Sequence, residues 1–142
     1  MLGIARLCIA LWTGAVLCVM FAVAPSVFAG IPEAQREAVP PGEILGPVFR
    51  AVDLFGLATS VLYLLALAPA RVGGKRWRSL VVAGMGVAAA VDTFLLAPMI
   101  RSQGGSGAAH GISMTLWTVV AVAGLALVAL DLRAGHAGHG AA

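Results

Sequence analysis

Four stretches of about 20 mainly apolar residues, each long enough to cross a bilayer as a helix, leave this chain few alternatives. They cover roughly 7–28, 44–67, 80–100 and 112–130, and each is bounded by charge, Pro or Gly. Only 11% of the residues are charged, against about a quarter in soluble domains, so a water-facing surface could not be covered. At 142 residues the chain is also too short for two ordinary domains. The expectation is an all-α protein: an integral membrane four-helix bundle over 1–132, then a disordered His/Gly tail over 133–142.

The segments between the runs differ in character. The first, IPEAQREAVPPGE, is polar and carries Pro40-Pro41; the second, APARVGGKRWRS, is short and basic. The third, RSQGGSGAAHG, is rich in Gly and Ser and reads as flexible. With four spans, the N-terminus, second linker and C-terminus share a side, which holds Arg6, Arg71, Lys75, Arg76, Arg78 and Arg133. The other side has Arg36, Arg50 and Arg101. The positive-inside rule then puts both termini in the cytoplasm, and the Arg-, Ala- and Gly-rich composition suggests the inner (plasma) membrane of a bacterium. A rival is a cleaved secretory signal, since Arg6, the first run and VFA-Gly30 imitate one. The run exceeds a usual signal core, and its removal would upset the charge balance, so it is read as a retained span.

The net charge of +3 does not indicate nucleic acid, because no basic stripe or aromatic platform accompanies it. Cys8 and Cys18 share one run about 15 Å apart along a helix, beyond disulfide reach. There is no Asn, hence no glycosylation sequon.

The first and third spans end alike. Phe21-Ala-Val-Ala-Pro25-Ser-Val and Phe94-Leu-Leu-Ala-Pro98-Met-Ile share F-x-x-A-P-x-[V/I]. A duplicated helical hairpin explains the echo; so does the frequency of Ala and Pro at helix exits. Each proline frees a backbone carbonyl one turn earlier, which membranes tolerate only where protein or water satisfies it. Pro25 and Pro98 therefore frame a candidate polar recess.

Ionisable residues inside spans are costly and point to function. Asp53 and Asp92 lie at matching depth, roughly 12 Å below the outer boundary on helix rise alone. Arg50 precedes Asp53 by three residues, and His110 opens the fourth span. Arg50, Asp53, Asp92 and His110 are the candidate binding cluster. The alternative is structural: an Arg50–Asp53 pair at the interface, and Asp92 clamping neighbouring helices by hydrogen bonds.

His110 and Met114 stand at i and i+4 and offer imidazole and thioether, a pair that suits copper(I). Met is also ordinary packing material, and no deeply placed His exists for haem, so no cofactor is expected. Gly84-Met-Gly86 imitates part of a dinucleotide fingerprint, but no strand precedes it. Gly84, Gly86, Gly14 and Cys18 are read instead as close-packing positions. No nucleophile triad, HExxH or phosphate loop is present, so an enzyme is not expected.

Trp12-Thr-Gly14, Ala24-Pro25-Ser-Val-Phe28, Phe49-Arg50, Ala97-Pro98 and His110 resemble the transmembrane-protein-205-like family, also called domain of unknown function 4149. The resemblance runs over about 7–130 and implies a four-helix membrane protein without an assigned reaction. Eukaryotic members are linked to tolerance of platinum drugs. One departure is Asp92, where the family is expected to carry a neutral amide more often. Two functions lead: an accessory or packing subunit, partnered by another membrane protein or by its own copies in the lipid bilayer; or a transport/resistance protein handling a small toxic solute or metal cation. A cofactor-bearing redox protein is a third, short of ligands.

Overall fold

The computed structural model describes residues 1–35, 41–102 and 107–139. Arg36, Pro40, the Gly/Ser run at 103–106 and the last tail residues at 140–142 lie outside the described residues. Among those described there is no strand, and four helices are long and apolar enough to span a membrane. They are α1 (Leu2–Gly30), α2 (Pro41–Leu67), α3 (Lys75–Ser102) and α4 (Ala108–His139). The apolar part of α4 ends at Arg133, and the helix continues into the Gly/His-rich segment.

Each helix packs on its neighbour in sequence, and α1 closes the ring against α4. The bundle is thus antiparallel throughout, with both chain ends at one end of it. Inside lie Ile9, Trp12, Val16, Tyr63, Leu67, Val82 and Leu127, all nearly fully buried. Outside, Phe21 is 74% exposed and Leu80 70%. An apolar exterior around a partly polar interior fits contact with lipid.

The tight α2–α3 connection turns on Gly74, whose φ of 68° is left-handed and costs a residue without Cβ nothing sterically. Lys75 Nζ donates to the Ala68 carbonyl across the same turn.

Two interruptions mark the spans that carry the sequence echo. Val19–Val23 in α1 and Asp92–Leu96 in α3 are π-helical turns. Ala24 N–H bonds to the Val19 carbonyl, and Ala97 N–H to that of Asp92, both five residues back. Pro25 and Pro98 follow directly. A proline ring clashes with the carbonyl four residues earlier and lacks the donor to bond it. The wider turn accommodates both defects, so the repeated motif is also a repeated local geometry.

Close packing rests on small residues, but not on all those expected. Gly14 and Gly84 meet nothing within 4 Å of an added Cβ, and Gly14, Gly84 and Cys18 are exposed. The close approaches are at Gly56, where a Cβ would lie 2.0 Å from Trp12 Cε2, and at Gly124, 2.1 Å from Thr13 Oγ1. Gly86, as expected, is buried, and an added Cβ there would lie 3.0 Å from Ser60 Cβ. The reason is rotation: one residue along a helix is about 100° around it, and α1 turns Trp12 and Thr13 inward, which sends Gly14 out.

Candidate functional site

Asp53 on α2 and Asp92 on α3 are only 4% and 5% exposed. Asp53 follows Phe49 by one helical turn and points into the ring of helices. Asp92 opens the π-turn of α3, so its own carbonyl takes the longer backbone bond while its side chain faces α2 and α4. The two carboxyl groups come within hydrogen-bonding reach of each other.

Two donors serve the pair. Thr93 Oγ1 donates to Asp53 Oδ2 at 3.5 Å, and Trp117 Nε1 of α4 donates to Asp92 Oδ2 at 3.3 Å. Trp117 is itself oriented by Phe49, whose ring meets it edge-on at 87° with centroids 4.7 Å apart. Such contacts fix an indole more firmly than area burial alone. Asp92 Oδ1 is buried, and among the described residues no donor beyond the carboxyl pair itself reaches it. Beside Asp53 and Trp117 lies a cavity of about 10 Å³, walled by Val16, Ala88, Ala89, Leu116 and Val120. That is close to the minimum that admits one water.

Of the four residues grouped from the sequence, the fold brings Asp53 and Asp92 together. Arg50 and His110 are exposed, and neither forms an ion pair with an aspartate among the described residues. The carboxyl pair thus has no basic side chain against it there. Met114 is half-buried, and Pro25 and Pro98 are exposed; the prolines act on the backbone and do not line the site. Among the described residues no three His, Cys, Asp or Glu side chains gather as metal ligands.

A second polar centre escaped sequence reasoning. At the end of the bundle holding the termini, Arg78 of α3 is only 7% exposed. Its Nη1 donates to Asp131 Oδ1 of α4 and, at 3.4 Å, to the Tyr63 hydroxyl of α2. Arg6 Nε of α1 lies 3.4 Å from the same Asp131 oxygen. The Asp131 carboxylate therefore ties α4 to α1 and α3, and Arg78 carries the tie on to Tyr63 of α2. Arg6 and Arg78 had entered only as a basic count; the available signal was an acid, Asp131, at the end of the fourth span, level with them.

A family model described as Domain of unknown function (DUF4149) matches residues 7–109. The matched stretch includes Asp53, Asp92 and both Ala-Pro motifs, and stops short of Trp117 and Asp131. No curated protein matches the chain, and no solved structure does.

Proposed function

The chain belongs to the DUF4149 family, and we propose that it is a transport or resistance protein whose Asp53–Asp92 pair binds a proton or small cation within the bundle. One observation carries this: among the described residues, two buried carboxyl groups meet where no basic side chain balances them, and no donor from another residue type reaches Asp92 Oδ1. Ionised carboxylates in a low-dielectric interior need a positive counterpart, and intramembrane acids of this kind mark ion paths and proton relays. Thr93 and Trp117 orient the pair, and the ligand supplies the missing charge. The protein binds and passes its ligand, with no covalent step.

In this reading the protein lies in the inner (plasma) membrane with both termini cytoplasmic, in keeping with its basic residues. The further resemblance to the transmembrane-protein-205-like branch, linked to drug tolerance, agrees with a resistance role. A packing subunit stands second, because an apolar exterior serves lipid as well as a protein partner.

The test is flux. Protein reconstituted in vesicles with an entrapped pH-sensitive dye, under imposed sodium or potassium gradients, should move protons, and Asp92→Asn should stop it. Equal flux in wild-type and Asp92→Asn vesicles would contradict the proposal.

A further inference from the structure

The carboxyl pair is not isolated from the charged tie at the far end of the bundle. Asp53, Gly56, Ser60 and Tyr63 follow one another along α2 at steps of three, four and three residues, which is one face of a helix. That face is interior: Asp53 is 4% exposed, Ser60 2% and Tyr63 1%. It extends about 15 Å on helix rise. At its lower end the Tyr63 hydroxyl accepts a hydrogen bond from Arg78, so its own proton is free to be donated elsewhere.

Orphaned polar atoms accompany this stripe. Ser60 Oγ is buried without a partner and lies over Gly86, 3.2 Å from where a Cβ would be. Trp12 Nε1, from α1, is likewise buried and unpartnered, and lies over Gly56. Asp92 Oδ1 is the third, at the upper end. Buried polar atoms without partners are rare in folded proteins and cost more in a bilayer than in water. Two of them, Trp12 Nε1 over Gly56 and Ser60 Oγ, lie along the stretch of α2 between Asp53 and Tyr63, and the third belongs to the carboxyl pair itself. Glycine at 56 and 86 keeps alkyl groups off both atoms, and the cavity of about 10 Å³ at the Asp53 end, walled by Val16 and Trp117, is close to the minimum for one water.

We propose that this stripe is a proton path joining the Asp53–Asp92 pair to the end of the bundle that holds both termini. It rests on the reading of the pair as a proton or cation site and adds the route and its sidedness. Protons pass by hydrogen-bond exchange from the Tyr63 hydroxyl to Ser60, about one helical turn or 5 Å away, and from Ser60 over bridging water to Asp53, about two turns away. The Trp12 indole is a donor only, so it orients that water and carries no proton itself. No bond other than O–H is made or broken. The polar groups at the pair among the described residues are Asp53 from α2, Asp92 and Thr93 from α3, and Trp117 from α4, and α1 contributes Val16 to the adjoining cavity. The opposite route would pass Arg50 and His110, which are exposed and touch neither carboxyl.

The experiment is a pH jump on full-length protein in lipid nanodiscs, following the carboxyl C=O stretch by time-resolved infrared spectroscopy, with Asp53→Asn and Asp92→Asn assigning the bands. Ser60→Val and Trp12→Phe should each slow the protonation change by about tenfold or more, a barrier of roughly 1.4 kcal/mol, and leave its end point unaltered. Ser60→Thr, which keeps the hydroxyl, should restore the rate, and Val61→Ala on the lipid face should not change it. If Ser60→Val fails to fold, Trp12→Phe and Tyr63→Phe carry the test. Wild-type rates in these variants would overturn the path and leave the pair standing. A wild-type pair that does not respond to pH would overturn the underlying reading and the path together.

Discussion

The indole N–H of Trp117 donates to Asp92 Oδ2 at 3.3 Å, joining the fourth helix to a carboxyl group of the third. It is one of two donors that hold an otherwise unbalanced acidic pair. Trp117→Phe keeps most of the ring volume and the contact with Phe49, and removes the donor. Unmaking a buried hydrogen bond to a carboxyl costs about 1–3 kcal/mol. Unfolding in mixed detergent should show a loss of that order and a shift of the Asp92 carboxyl stretch. Trp77→Phe, at a 59% exposed position, should produce neither.

The close contacts predict an asymmetry among the glycines. Gly56→Ala drives a methyl group into Trp12, and Gly124→Ala into Thr13. Overpacking of this kind costs about 1–3 kcal/mol, visible as a lower midpoint of unfolding. Gly14→Leu, which the sequence alone marks as disruptive, should be tolerated because Gly14 faces outward.

The Arg78–Asp131 contact predicts a strong effect with a specific control. Asp131→Ala leaves Arg78 buried without its anion, a change that costs about 3–5 kcal/mol in buried pairs. Replacing both, as Arg78→Met with Asp131→Leu, removes the unpaired charge and should recover much of the stability. A double variant no more stable than Asp131→Ala would show that the tie is not what Arg78 is buried for.

Pro98 carries a prediction about register. The π-turn that ends at Leu96 adds one residue to the helical turn, which rotates everything before it by about 100° relative to an unbroken helix. With Pro98→Ala the clash that favours the wider turn is gone. If the turn closes, Asp92 swings away from Asp53, and the carboxyl bands of the two residues should cease to respond to each other. Pro25→Ala, in the span without an acid, should leave them unchanged.

Much of the fold was legible because bilayer thickness imposes a length that residue counting can measure. The same counting put Asp53 and Asp92 at one depth, and the fold puts their carboxyl groups in reach of each other. Helix rotation was not legible. Gly14 and Thr13 are adjacent in sequence and differ by about 100° in direction, and the packing of Trp12 on Gly56 and of Thr13 on Gly124 fixes which one faces inward. Arg50 precedes Asp53 by three residues, yet is long enough to carry its charge outward. The Ala-Pro echo was visible as letters, but the π-turns behind it depend on backbone geometry that side-chain periodicity does not report. Trp117 and Asp131 were passed over because each acts only through residues brought to it by other spans.

The central claim is that Asp53 and Asp92 act as one site, and an infrared pH titration of the carboxyl stretch tests it most directly. Wild-type protein in nanodiscs, Asp53→Asn and Asp92→Asn would be compared. Two carboxyl groups in hydrogen-bonding reach perturb each other's C=O stretch, so the account predicts that removing either one shifts the band of the other. If each single variant loses one band and the remaining band is unchanged across the pH range, the two aspartates are independent and the proposed site does not exist.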